Sequence, residues 1–189
     1  MWPPLKWLRR QRVNRAFGVV LALTLLGCAG AQAADLFDAA RRDDVKMARE
    51  VLAGGANASE RDAKGYTPLI LAAYNGSQEV VKLLLEKRVD VHVQNAMGNA
   101  LMAAAFKGEA GIVTALLDAG ARVNDVNQSG GTALMFAAMS ARTEVVRMLL
   151  AHGADAALRD KRGLDAAGLA DQQGSHELAG FLRDAAAKR

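Results

Sequence analysis

The chain has 189 residues, a formal net charge of +4 and a single cysteine, Cys28. One cysteine excludes an intrachain disulfide, and the basic surplus sits at one end. Five basic residues (Lys6, Arg9, Arg10, Arg12 and Arg15) precede residue 34; beyond them 19 basic residues face 20 acidic ones, which gives no electrostatic case for binding nucleic acid or an anionic membrane surface.

Residues 1–33 follow the order of a secretory leader. A basic stretch without acids runs to Arg15, an apolar run spans Ala16 to Leu26, and small residues fill Gly27 to Ala33. The apolar run is short for a membrane span, which needs about 20 residues; an uncleaved anchor is the alternative. Arg9-Arg10 is a weak twin-arginine signal, because Gln11, Arg12 and Val13 do not continue it. Two processing sites compete. Ala31-Gln32-Ala33 is an A-x-A site that would release a chain starting at Ala34, whereas Leu25-Leu26-Gly27-Cys28 resembles a bacterial lipobox, with Cys28 as the lipidated residue. The first reading is favoured and implies a periplasmic or secreted protein; the second implies a membrane-anchored lipoprotein.

The remaining residues, 34–189, are expected to form one domain built on a repeat. Leu36-Phe37-Asp38-Ala39-Ala40 and Val51-Leu52-Ala53-Gly54-Gly55-Ala56-Asn57 open it. Asp62 and Gly65 then bracket a turn, Thr67 offers a hydroxyl cap, and Pro68 stands where a missing N–H costs nothing. A short helix over Leu69–Tyr74 is expected to stop at Asn75-Gly76. Ser77 is expected to cap a second helix whose apolar stripe is Val80, Val81, Leu83, Leu84 and Leu85. The caps Thr67, Asn99, Thr132 and Asp165 recur at spacings of 32, 33 and 33 residues. Ala-rich segments follow each: Leu71-Ala72-Ala73, Ala103-Ala104-Ala105, Phe136-Ala137-Ala138 and Leu169-Ala170. The second stripes recur as Ile112-Val113 with Leu116-Leu117, and Val145-Val146 with Leu149-Leu150; Leu84 and Leu117 are expected at core positions. A lone helix pair of this size cannot bury its apolar face, so the units must stack.

The series Gly65-x-Thr67-Pro68-Leu69, Ala72-Ala73-x-x-Gly76 and Val80-Val81-x-Leu83-Leu84-Leu85, repeated near 33 residues, resembles the ankyrin repeat. The resemblance implies an all-α solenoid of about five stacked helix–turn–helix units: a capping unit at about 34–62, internal units at about 63–95, 96–127 and 128–160, and a C-terminal unit at about 161–189. The chain departs from the family pattern in three ways. Ile70, Met102, Met135 and Gly168 stand where the family keeps His, which reduces the Thr–His bonding between units. Arg88 and Ala141 replace family glycines at left-handed positions. The second internal unit is one residue short around Gly98 to Met102, with local weakness expected there.

No catalytic constellation emerges. His92, His152 and His176 lie in different units, and no H-x-x-x-H, C-x-x-C, G-x-S-x-G or phosphate loop occurs. Met102, Met135, Met139 and Met148 recur at helical spacing and read as core filling rather than metal ligands. Ser129-Gly130-Gly131-Thr132 has the form of an anion site, but the repeat's own turn and cap require the same residues. No cofactor is expected.

What the resemblance does imply is a binding face. In the family, the two residues before each first helix's terminal glycine face a concave surface. Here these are Arg41-Arg42, Tyr74-Asn75, Phe106-Lys107, Met139-Ser140 and Gln172-Gln173. Tyr74, Phe106 and Met139 would form an exposed apolar column edged with charge, a composition suited to a protein partner. Lys64, Tyr66, Asn99, Gln128 and Arg162 on the turn tips would border it. The expected function is a non-enzymatic protein–protein interaction module, monomeric by family default, meeting no nucleic acid and touching a membrane only through a lipid at Cys28. An immunity or adaptor protein that blocks a toxin or envelope enzyme is the alternative.

Overall fold

The computed structural model describes residues 35–188; the leader, both processing sites and Cys28 lie outside the described residues. Within that range ten α-helices alternate with turns: α1 (Leu36–Arg42), α2 (Val45–Ala53), α3 (Pro68–Asn75), α4 (Gln78–Glu86), α5 (Ala100–Lys107), α6 (Ala110–Asp118), α7 (Ala133–Met139), α8 (Thr143–Ala151), α9 (Ala166–Gln172) and α10 (His176–Ala187). There is no strand among the described residues. None of the helices there is long and apolar enough to cross a membrane.

Local chemistry starts each odd-numbered helix. The side chains of Thr67, Asn99, Thr132 and Asp165 accept the amides of Ile70, Met102, Met135 and Gly168, at 3.2, 3.0, 3.3 and 2.8 Å. Each capping residue is extended while the next is helical, so the side-chain oxygen reaches an amide that has no intrahelical partner. Asp35 does the same for Asp38, a fifth cap at the start of the described residues.

Asp44 also caps α2, accepting the Met47 amide at 2.9 Å, but α4, α6, α8 and α10 have no side-chain cap, and here one expectation fails. Ser77 stands at the start of α4 but makes no capping bond. Its hydroxyl donates instead to the carbonyl of Ala40, 2.7 Å away in the preceding unit, and the Val80 amide is taken by Asp43 Oδ1 at 3.0 Å. Both bonds run between units, so Ser77 and Asp43 fasten α4 to the end of α1. Ser77 is 2% exposed, and an unpaired hydroxyl there would be costly.

Odd helices pack on odd and even on even: α1 to α3, α5, α7 and α9 in one row, α2 to α4, α6 and α8 in the other. Ala72-Ala73, Ala104-Ala105 and Ala137-Ala138 are fully buried in the first row, where a methyl is all the space between neighbouring helices accepts. The second row contributes Val80, Val81 and Leu84, then Ile112, Val113 and Leu116, then Val145, Val146 and Leu149. Leu117 is only half-buried, as are Leu85 and Leu150, so the core leucine of α6 is Leu116 rather than Leu117. The neighbouring helices set this, because Ile112 and Val113 are both buried and each has a leucine four residues on. Met102 and Met135 are 2% exposed and fill the core where the family carries His.

Two of the family's left-handed glycine positions are indeed held by other residues: Arg88 has φ 56° and Ala141 φ 53°, and Asp43 is similar at 53°. A Cβ in this conformation crowds the following carbonyl. Arg88→Gly and Ala141→Gly should therefore each stabilise the fold by up to about 1 kcal/mol in urea melts, less the entropy that glycine adds to the unfolded chain.

Candidate functional site

The site is built on the turn tips. Each tip opens on an Asp or Asn whose backbone amide closes the turn and whose side chain braces it. Asp62, Asn127 and Asp160 donate their amides to the carbonyls of Tyr66, Gly131 and Leu164, four residues on, at 2.9, 3.0 and 2.8 Å. Asn95 closes three residues on, to Gly98, at 3.1 Å. The missing residue of the second internal unit is thus absorbed at the tip, and the cap Asn99 keeps its role. Only glycine accommodates this closure readily: Gly98 has φ 136°, against 78–81° at Gly65, Gly130 and Gly163.

The shortened tip displaces a side chain outward. Met97 is 62% exposed, the most exposed of the large apolar residues described. Behind it lies an apolar cleft of about 340 Å³, lined by Tyr66, Ile70, Tyr74, Met97, Met102, Phe106, Phe136 and Met139 among others. A second cleft of about 370 Å³ adjoins it, shares Met97, Phe136 and Met139 as a wall, and continues to Asn127, Asp160, Arg162 and Leu169.

The predicted column of Tyr74, Phe106 and Met139 is brought together here, but its members are not equally exposed. Tyr74 is 44% exposed, while Phe106 and Met139 are half-buried. The rings of Tyr74 and Phe106 stack with centroids 6.4 Å apart and planes 8° from parallel, and Lys107 Nζ lies 5.1 Å above the Tyr74 ring. Phe106 in turn meets Phe136 edge-on at 6.4 Å and 84°. The row is therefore a packed aromatic ladder with one face in solvent, rather than a line of free side chains. Phe136 escaped sequence reasoning because it lies three residues before Met139, outside the pair that ends the helix. Its one-turn offset was the signal available.

Of the other predicted site residues, Tyr66 lines the first cleft and Lys64 is exposed two residues before it on the same tip. Asn75 is exposed and bonds its own helix, with Nδ2 donating to the Leu71 carbonyl at 2.8 Å. Arg41 and Arg42 are exposed at the end of α1, with Arg41 paired to Asp38 at 3.0 Å. Ser140 is half-buried and Gln172 exposed; neither lines a cleft.

The tips also lock together. Asn127 Nδ2 donates to the Met97 carbonyl at 2.9 Å, the Lys161 amide to the Ser129 carbonyl at 2.9 Å, and Arg61 to the Gln94 carbonyl at 3.1 Å. A Cβ on Gly130 would come within 3.2 Å of the Asp160–Lys161 backbone, so successive tips are close-packed. Ser129 to Thr132 are occupied by these bonds and by the Thr132 cap.

Asp160 is the acid most embedded in this surface. Desolvation at the turn pushes its carboxyl up, but bonds from the Leu164 amide and from the side chain and amide of Arg162 together pull it below the ordinary aspartate value. A carboxyl with a lowered native pKa stabilises the fold above its unfolded-state value, and that contribution fades as pH falls through the native value. Asp160→Asn should keep the neutral-pH stability within about 0.5 kcal/mol, since Asn95 and Asn127 already fill equivalent positions. It should also flatten the loss of stability seen between pH 4 and more acidic conditions, read from urea midpoints across that range.

Among the described residues, no group of three or more His, Cys, Asp or Glu side chains is placed to hold a metal. His92, His152 and His176 are far apart in sequence and make separate contacts: His92 lies 3.7 Å from Asp125, His152 bonds the Met148 carbonyl, and His176 meets Asp171 at 3.1 Å.

A family model described as ankyrin repeats, in three copies, matches residues 36–127 and again 101–188. The chain belongs to the ankyrin-repeat family. An ankyrin repeat-containing protein of Treponema pallidum is 36% identical over 121 residues, covering 63% of this chain and 41% of that protein. Dauer abnormal formation protein 25 of Caenorhabditis elegans is 33% identical over 119 residues, covering 62% and 31%. The ankyrin repeat and KH domain-containing protein mask-1, also of Caenorhabditis elegans, is 36% identical over 149 residues, covering 77% and 6%. The chain spans less than half the length of each. Ankyrin repeats form a non-enzymatic interaction fold whose partners are proteins, and both clefts lie on the turn tips and first helices of that fold.

Proposed function

We propose that this ankyrin-repeat chain is an exported interaction module of a bacterial periplasm, released by cleavage after Ala33, acting as a monomer that binds one protein partner and carries out no chemistry itself. The observation that carries the binding reading is the joined pair of apolar clefts, open to solvent beside the Tyr74–Phe106–Phe136 ladder. The core side chains Ile70, Met102 and Met135 line the pair together with the partly exposed Tyr66, Phe106, Phe136 and Met139. Met97 and Tyr74 would contact the partner directly, with Tyr66, Phe106 and Met139 beneath them. Arg41, Arg42, Lys64, Asn75, Lys107, Ser140 and Gln172 would form the polar rim. The export reading rests on the basic, apolar and small-residue order of residues 1–33, with a lipid on Cys28 as the other processing outcome.

A photo-crosslinking residue at Phe106, irradiated in intact source cells, tests the binding reading, with the same probe at the buried Leu116 as control. A single dominant adduct from Phe106 and none from Leu116 is the expected result. An exported, folded protein that yields no adduct from Phe106 would remove the binding role from these clefts. Intact mass of the purified protein separates the two processing sites, because a chain starting at Ala34 and a lipidated chain starting at Cys28 differ by six residues and the lipid.

A further inference from the structure

We propose that the two clefts take a specific kind of segment: an extended, acidic peptide stretch carrying two apolar side chains three positions apart. This rests on the protein-binding reading above and adds the chemistry of the partner. The two clefts, of about 340 and 370 Å³, are separated by a common wall of Met97, Phe136 and Met139. Each stands at the lower end of the size range of small-ligand pockets and has room for at least one large side chain. Neighbouring helices in a row stand about 8–10 Å apart, which is the step expected between clefts built on successive units. A chain in the left-handed polyproline form repeats every three residues and rises about 3.1 Å per residue, so side chains three apart point the same way about 9 Å apart. A helix brings same-face side chains to a like separation, about 10.5 Å, only at positions seven apart, so the spacing in a bound sequence tells the two forms apart.

Charge decides the flanking residues. Among the described residues, the only carboxylate lining either cleft is Asp160, and it is already engaged by Arg162 at 2.8 Å. Lys107 stands over the Tyr74 ring at the rim of the first cleft, and Lys64 is exposed two residues before Tyr66 on the tip beside it. Neither lysine has an ion-pair partner among the described residues. An apolar trough with such ammonium groups at its edge favours carboxylates on the bound segment and disfavours a second basic surface.

The test uses the protein purified from its own cells and a displayed library of random nine-residue peptides. The expected result is enrichment of sequences with Leu, Ile, Phe or Met at two positions three apart and Asp or Glu around them. A synthesised consensus peptide should then bind about tenfold or more weakly to the Met97→Asp and Lys107→Glu variants, and more weakly in high salt. Met97 is exposed, so its substitution should leave the urea midpoint unchanged and any loss of binding is a loss at the cleft. Apolar residues spaced by seven would point to a helical occupant, and Lys or Arg around them to an acidic receptor site; either overturns the proposal. Absence of any enrichment, or a consensus indifferent to Met97→Asp, also overturns it. So does a concentration-dependent dimer that Met97→Asp disperses, since the clefts would then belong to a second copy. The two readings fail separately. An adduct from Phe106 in cells, together with peptides lacking the three-residue acidic pattern, removes this inference and leaves protein binding standing.

Discussion

Leu116→Ala should lower the unfolding free energy by about 2–5 kcal/mol, while Leu117→Ala, one residue on, should cost much less. Leu116 is completely buried in the row of even-numbered helices, one turn beyond the buried Ile112 and beside Val113. Removing its side chain leaves a void that α4 and α8, packed on either side of α6, have little freedom to close. Leu117 is half-buried and retains solvent on one side, so water takes up part of the space left by its truncation. Paired urea melts of the two variants read this directly. Equal losses would mean that α6 is rotated about its axis, with both leucines turned equally toward its neighbours. Because each unit meets only its neighbours, the Leu116 variant should also lose the sharpness of its transition as the central unit weakens relative to the ends.

A larger disturbance is expected from Ala105→Glu. Ala105 is fully buried on α5, which packs between α3 and α7. A carboxylate there is buried without a partner, and uncompensated buried charges cost about 3–5 kcal/mol, on top of the strain of inserting the side chain. Ala157→Glu, on an exposed turn, is the control and should stay within about 0.5 kcal/mol of the parent. The sign of the pH dependence separates charge from bulk. Burial raises a carboxyl's native pKa above the ordinary glutamate value of about 4.3, so the penalty grows as pH rises through that value and shrinks below it. Unfolding midpoints of the variant, compared with the parent at pH 4 and pH 7, should therefore differ less at the lower pH. A loss of equal size at both would assign the effect to overpacking alone.

These two positions show where sequence reading reached and where it stopped. The caps at Thr67, Asn99, Thr132 and Asp165, the stop at Gly76 and the Ala pairs of the first helices were legible because each depends on bonds or steric limits within four residues of itself. Their recurrence near 33 residues then required stacking, because no single helix pair could cover its apolar face. The all-α solenoid follows from those local facts. The choice between Leu116 and Leu117 did not. Adjacent leucines differ by about 100° around a helix, and only the neighbouring helices decide which of them points inward.

Ser77 is the clearest case on the other side of that line. By residue type it is a good cap, yet the carbonyl it serves belongs to Ala40, and Asp43 takes over the amide Ser77 was expected to approach. No local rule can see a partner 37 positions away. The candidate site divides in the same manner. The sequence by itself determined which residues stand at the helix ends, and that one tip is a residue short. Only the tertiary structure decided that this shortfall closes at Gly98, turns Met97 outward and leaves two clefts with Phe136 in the wall between them. Caps and turn closures are set over one turn of chain, whereas bonds between units and the space between side chains are set by elements that meet only after the units have stacked.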